Sequence, residues 1–232
     1  MPLWYPPILA YHRVAPSGGT DTPTVSPEIF ERQMEILAGQ RRPSSLDELA
    51  ARMEQGSRFD RRAVVVTFDD GTDDLYHHAY PILAKYRIPA IIFLIVSNIG
   101  KQGNLHPDQI RRMSEDGIRF GSHTLNHAYL PSLPAEQARQ EIFQSKEELK
   151  NLGITPDFLS YPAGGYTREI TQMAQEAGYR GACTTNRGET RFPINRWALR
   201  RIKITPAAST PLVLRILCCG YYGLNKKLRP PC

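Results

Sequence analysis

A chain of 232 residues with 41% hydrophobic content has enough apolar material for one substantial core, and nothing in it marks a second domain. The 29 Lys and Arg against 23 Asp and Glu give a formal charge of +6, which suits an acidic or membrane-surface partner, and no basic patch interleaved with aromatics points to nucleic acid. The opening MPLWYPPILAYHRV has neither the basic nor the long apolar region of a secretory signal, and no stretch approaches the about 18 apolar residues of a membrane span, so the expectation is a cytoplasmic protein. Cys183, Cys218, Cys219 and Cys232 show no CxxC or Cys/His zinc spacing and read as free thiols.

Along the chain, short β-branched runs alternate with stretches of helical period. PILAYHRV predicts a first strand, and PEIFERQMEILAG and SLDELAARMEQG predict two helices after it. AVVVTFDD is the next strand, DLYHHAYPILAKY a helix, AIIFLIV a strand, PDQIRRMSEDG a helix and IRFGSHT a strand. Then come the long helix PAEQARQEIFQSKEELKNLG, the strand FLSYP, the helix REITQMAQEAG and the strands GACTT and LRRIKI. About seven strands with intervening helices predict a single-domain α/β fold with a mostly parallel sheet, closed as a barrel rather than open. Residues 206–232 are expected to form a last helix and a basic tail with Lys226, Lys227 and Arg229, suited to peripheral contact with an anionic membrane surface.

The chemistry concentrates in TFDDGTDD, four carboxylates directly behind an apolar run. In βα folds reactive groups gather where strands end. Adjacent strand side chains point to opposite faces, so Asp69 and Asp70 serve one site only if the backbone leaves strand geometry, which Gly71 permits. Asp73 or Asp74 is expected to cap the helix that follows. In GSHTLNHAYL, His123 and His127 stand four apart; on a helical turn they would share a face and, with one carboxylate, make a three-ligand metal site with an open position. Zinc is the default for two histidines and an aspartate, with cobalt or nickel also admissible. His77, His78 and His106 read as surface or loop residues.

TFDDGTDDLYHHAYPILAKYRIPAIIFL, then GSHTLNHAYL, YPAGGY and GYRGACTT, together resemble the polysaccharide deacetylases that share the NodB-type catalytic domain, of the carbohydrate esterase family 4 kind, and most of all the poly-N-acetylglucosamine deacetylase type. The resemblance implies a distorted, TIM-like (β/α) barrel. It implies an enzyme of exopolysaccharide metabolism that uses one divalent metal to remove N-acetyl groups from an N-acetylglucosamine-containing polysaccharide or glycolipid. By the same resemblance Asp69 is the general base, Asp70 with His123 and His127 the metal set, and the turn near Ala163 the source of an oxyanion N–H, with Tyr161 and Tyr166 beside the substrate.

Two departures from the commoner pattern matter. The usual late histidine acid is missing, since no histidine follows His127, and the subgroup resembled here supplies it from an early strand, which makes His12 the candidate acid; the first and last strands of a closed barrel are neighbours. The arginine that pairs with the base is also missing around Pro162. Arg200 or Arg201 in ALRRIKI is expected to replace it, one pointing inward and one outward, and Trp197 is a candidate for lining the site. Two other functions compete: hydrolysis of a small amide in a closed pocket, or a carbohydrate-binding module without chemistry. A wide groove with exposed aromatics such as Tyr129 and Tyr166 favours glycan.

Overall fold

The computed structural model describes residues 6–16, 22–185 and 195–205. Its strands are β1 (Ile8–Tyr11), β2 (Arg13–Val14), β3 (Thr24–Val25), β4 (Arg42–Pro43), β5 (Ala63–Phe68), β6 (Ala90–Leu94), β7 (Arg119–Ser122), β8 (Phe158–Ser160), β9 (Gly181–Thr184), β10 (Leu199–Arg200) and β11 (Ile202–Lys203). Helices α1 (Pro27–Gln40), α2 (Leu46–Glu54), α3 (Tyr80–Tyr86), α4 (Pro107–Glu115), α5 (Ala135–Asn151) and α6 (Arg168–Glu176) lie between them. The N-termini of α1, α2 and α6 are closed by Ser26, Ser45 and Thr167, whose hydroxyls accept from the third residue on.

The main sheet runs β10-β9-β8-β7-β6-β5-β1-β11, every pairing parallel, with β4 added against the start of β5. Its two outer strands, β10 and β11, are separated in the chain by Arg201 alone. One short segment therefore lies against β9 through Leu199 and Arg200 and against β1 through Ile202 and Lys203, nearly closing an eight-stranded barrel in a single domain. Two strands expected to be continuous are thus broken, PILAYHRV at His12 and LRRIKI at Arg201. In both cases the chain changes partner there: β2 leaves the barrel to pair with β3, and β11 moves from β9 to β1.

Strand parity sorts the core into two layers. Ile8, Val65, Ile91, Phe93, Phe158, Cys183 and Leu199 fill the barrel interior, and Leu46, Leu49 and Ala50 of α2 pack against them. The alternate residues Leu9, Tyr11, Val64, Val66, Phe68, Ile92, Leu94 and Phe120 face the helices outside. Gly121 belongs to the inner set, where a Cβ would stand 2.7 Å from the Phe93 ring and 2.8 Å from the Phe158 carbonyl. Extending the inner parity to the strand ends selects His12, Asp69, His123, Ser160 and Arg201, and parallel strands bring those ends to one mouth of the barrel.

The helix expected over 74–86 is interrupted. Pro81 has no N–H and its ring crowds the carbonyl four residues back, so Leu75–Ala79 forms a π-helical turn, closed by Tyr80 N–H to the Leu75 carbonyl, before α3 begins. Asp74 does not cap this turn through its side chain. It is buried, and its carboxylate accepts instead from Arg13 Nε at 2.9 Å and Val14 N–H at 2.8 Å, tying down the chain just after His12. The expected C-terminal helix and tail, and Cys218, Cys219 and Cys232, lie outside the described residues. Cys183 is a buried free thiol, and among the described residues no helix is long and apolar enough to cross a membrane.

Candidate active site

Asp69 and Asp70 leave β5 in different directions. Asp69 continues the strand's inner parity: its N–H bonds to the Tyr11 carbonyl at 3.0 Å, next to the Tyr11–Phe68 pairing, which sets His12 beside Asp69. Asp70 then enters left-handed backbone at φ 73°, and Gly71 follows at φ 73°. Gly71 has a second reason to be glycine, since a Cβ there would stand 2.5 Å from Leu94 Cδ2. Two adjacent acids thereby reach one pocket by different routes.

Asp69 is almost fully buried and faces Arg201 as a fork, Oδ1 accepting from Nη1 at 2.8 Å and Oδ2 from Nη2 at 2.7 Å. The same guanidinium donates to Thr67 Oγ1 at 3.1 Å and Ser160 Oγ at 2.8 Å and lies 5.4 Å from the centre of the Phe93 ring. Burial alone would raise the Asp69 pKa, but Arg201 and then His123 and His12 outweigh it and hold the carboxyl well below the usual range. Of the two arginines expected to orient this carboxylate, Arg201 does so; Arg200 has the opposite parity.

Asp70, His123 and His127 offer ligand atoms that all lie within 4.8 Å of one another. Nε2 of each histidine is 3.7 Å from Asp70 Oδ1. His123 Nδ1 donates to the Ser160 carbonyl at 2.7 Å, which leaves the Nε2 lone pair aimed at the cluster, and burial holds its pKa below the ordinary histidine range against the pull of Asp69 and Asp70. A neutral imidazole with an oriented lone pair, a second imidazole and a carboxylate are a donor set that fits a divalent cation.

The two histidines do not sit on a helical turn. Thr124 and His127 have φ 67° and 60°, which excludes an α-helix, and the loop is held by side chains instead. Thr124 N–H bonds to Ser122 Oγ at 3.0 Å and His127 N–H to Thr124 Oγ1 at 3.1 Å. Glu141, buried on α5, accepts from Asn126 N–H and Asn126 Nδ2, both at 2.8 Å. Sequence reasoning missed Glu141. Its only signal is an acid within the buried stripe Ala138, Glu141, Ile142, Ser145, Lys146 and Leu149.

His12 joins the pocket from β1. Its Nδ1 is buried without a hydrogen-bond partner among the described residues, and burial lowers its pKa while Asp69 and Asp70 raise it and Lys203 and Arg201 lower it. Ala163 lies in the tight turn after β8 at φ 52°, with the neighbouring Gly164 and Gly165 N–H groups bonded to the Tyr161 and Pro162 carbonyls. Tyr161 is 1% exposed, so its expected place beside the substrate is corrected: it is core, with its hydroxyl donated to the Trp197 carbonyl at 3.0 Å. Trp197 packs with that same cluster, beside Arg196. Tyr166 keeps surface exposure and stacks on Tyr161. His77, His78 and His106 take no part in the cluster; His106 begins α4.

A family model described as polysaccharide deacetylase matches residues 56–182. YxkH of Bacillus subtilis strain 168, named as a polysaccharide deacetylase, is 32% identical over 205 residues, covering 88% of this chain and 72% of its own. The poly-β-1,6-N-acetyl-D-glucosamine N-deacetylase of Staphylococcus aureus is 26% identical over 209 residues, 83% of this chain and 71% of that protein. Among solved structures, the Streptococcus pyogenes deacetylase PplD in complex with acetate superposes with a TM-score of 0.83 at 28% identity, covering 92% of this chain and 99% of that one.

Proposed function

Because the chain belongs to the polysaccharide deacetylase family, we propose that it hydrolyses N-acetyl groups on an N-acetylglucosamine-containing glycan, with Asp70, His123 and His127 holding one divalent cation. The observation that carries this reading is the divergence at residues 69 and 70, one carboxylate forked onto Arg201 and the next turned toward two histidines. A cation bound there supplies Lewis acidity, making water more acidic and drawing electron density from the acetamide carbonyl.

The chain's own groups do the rest. Arg201 holds Asp69 ionised, and each carboxylate oxygen keeps a lone pair beyond its bond to the guanidinium, so Asp69 can take a proton from the attacking water without leaving its place. As the new C–O bond forms, negative charge grows on the carbonyl oxygen, and the Ala163 N–H is the backbone donor assigned to it. The C–N bond then breaks with a proton passing to the sugar nitrogen, and His12 is the donor. It must be protonated at that moment, which Asp69 and Asp70 favour and burial opposes. The products are acetate and a free amine on the sugar. Incubating zinc-loaded protein with N-acetylglucosamine oligomers should yield products lighter by one or more acetyl groups in mass spectrometry. No mass loss with zinc, cobalt or nickel would refute the reading.

A further inference from the structure

Among the described residues, the large apolar side chains left exposed are Tyr129 at 45%, Leu152 at 47% and Tyr166 at 37%. Leu152 ends α5, but both tyrosines stand on loops that carry the site. Tyr129 is two residues past His127, and Tyr166 is three past Ala163. The Tyr129 ring lies directly on the backbone of Gly165, where a Cβ would meet Cε2 at 2.2 Å and Cζ at 2.8 Å. Gly165 adjoins Tyr166, whose ring stacks on buried Tyr161 with centroids 5.4 Å apart and planes at 24°. Tyr161 is itself fixed through its hydroxyl. Two rings are thus pinned from beneath and exposed above, on the loops that follow His127 and Ala163.

A rigid tyrosine offers apolar area with little conformational entropy left to lose. A pyranose ring with equatorial substituents presents a flat C–H face that matches it, and a small amide has no second ring to place there. We propose, resting on the glycan reading above, that Tyr129 with Tyr166 forms an aromatic shelf that stacks a sugar next to the unit being deacetylated, so that the substrate is recognised as a chain.

The test is acetate release from β-1,6-linked N-acetylglucosamine oligomers of increasing length, with wild type, Tyr129→Ala and Tyr129→Trp, folding being monitored by thermal melting. The wild-type KM should fall with length. In Tyr129→Ala that dependence should flatten, with KM for the longest oligomer about tenfold higher, kcat changed far less, and Tyr129→Trp restoring the trend. A wild-type length dependence in Tyr129→Ala, or an equal loss at every length including the monosaccharide, overturns the shelf and leaves the glycan reading standing. A wild type that releases acetate from no oligomer overturns the glycan reading, and the shelf with it.

Discussion

Replacing Arg201 by Met should destabilise the protein more than a surface change of the same size, because it leaves Asp69 charged, buried and without its cation. Four hydrogen bonds are lost, two to Asp69 and one each to Thr67 and Ser160. Orphaning one partner of a buried pair costs about 3–5 kcal/mol. At roughly 2–4 °C per kcal/mol for a domain of this size, the melting temperature should drop by roughly 6–20 °C. Melting curves recorded in chelator keep any change in metal affinity out of the result. A double variant separates charge from packing: with Asp69→Asn added, the orphaned charge is gone, so Arg201→Met/Asp69→Asn should melt above Arg201→Met alone. Arg201→Lys should recover only part of the loss, since one ammonium cannot form the planar fork and also reach Thr67 and Ser160. A single variant that melts like wild type, or a double variant whose losses simply add, would show that the fork does not hold Asp69 in place.

His127→Ala should lose most of its metal by elemental analysis, while Asp69→Asn should keep the metal and lose turnover; equal metal loss in both would merge the roles assigned to the two residues. His12→Gln should cost roughly 10²- to 10⁴-fold in turnover at unchanged metal content. Wild-type turnover in that variant would return His12 to a packing role. Glu141→Gln, which sets an amide NH2 against one of the two Asn126 donors, should weaken metal binding by about 10- to 100-fold in chelator competition with little change in far-UV circular dichroism; unaltered affinity would mean the loop keeps its shape without the carboxylate.

The barrel was legible because its signals are local. Seven short candidate strands alternating with helical periods became the staves, and FDDG and HTLNH fell at strand ends as a βα fold requires. The breaks were not legible, because they follow from partners far away in the chain. Nothing inside ILAYHRV says that the strand stops bonding to β5 after Tyr11, and nothing inside LRRIKI says that β9 claims one half and β1 the other. The fate of Asp74 was hidden in the same way: an acid before a helix looks like a cap, and only the fold brings Arg13 and Val14 to it, 61 and 60 residues away in sequence.

The arginine next to Asp69 shows most clearly where pattern reading stops. In LRRIKI one parity carries Leu199, Arg201 and Lys203 and the other Arg200, Ile202 and Ile204, so hydrophobicity favours the second set as the buried face. It is a buried face, for Ile204 is fully covered and packs in the layer under the helices. But a barrel strand has two covered faces, and the inner one at the mouth is where polar groups can be paired. Arg201 is as buried as an arginine can be because Asp69 from the loop after β5, Thr67 from β5 and Ser160 from β8 converge on the four N–H donors of its two terminal nitrogens. The residue that joins the two edges of the barrel is therefore the one that orients the pocket's central carboxylate. Closing the fold and placing Asp69 depend on the same side chain, which is why loss of stability and loss of turnover should arrive together when it is changed.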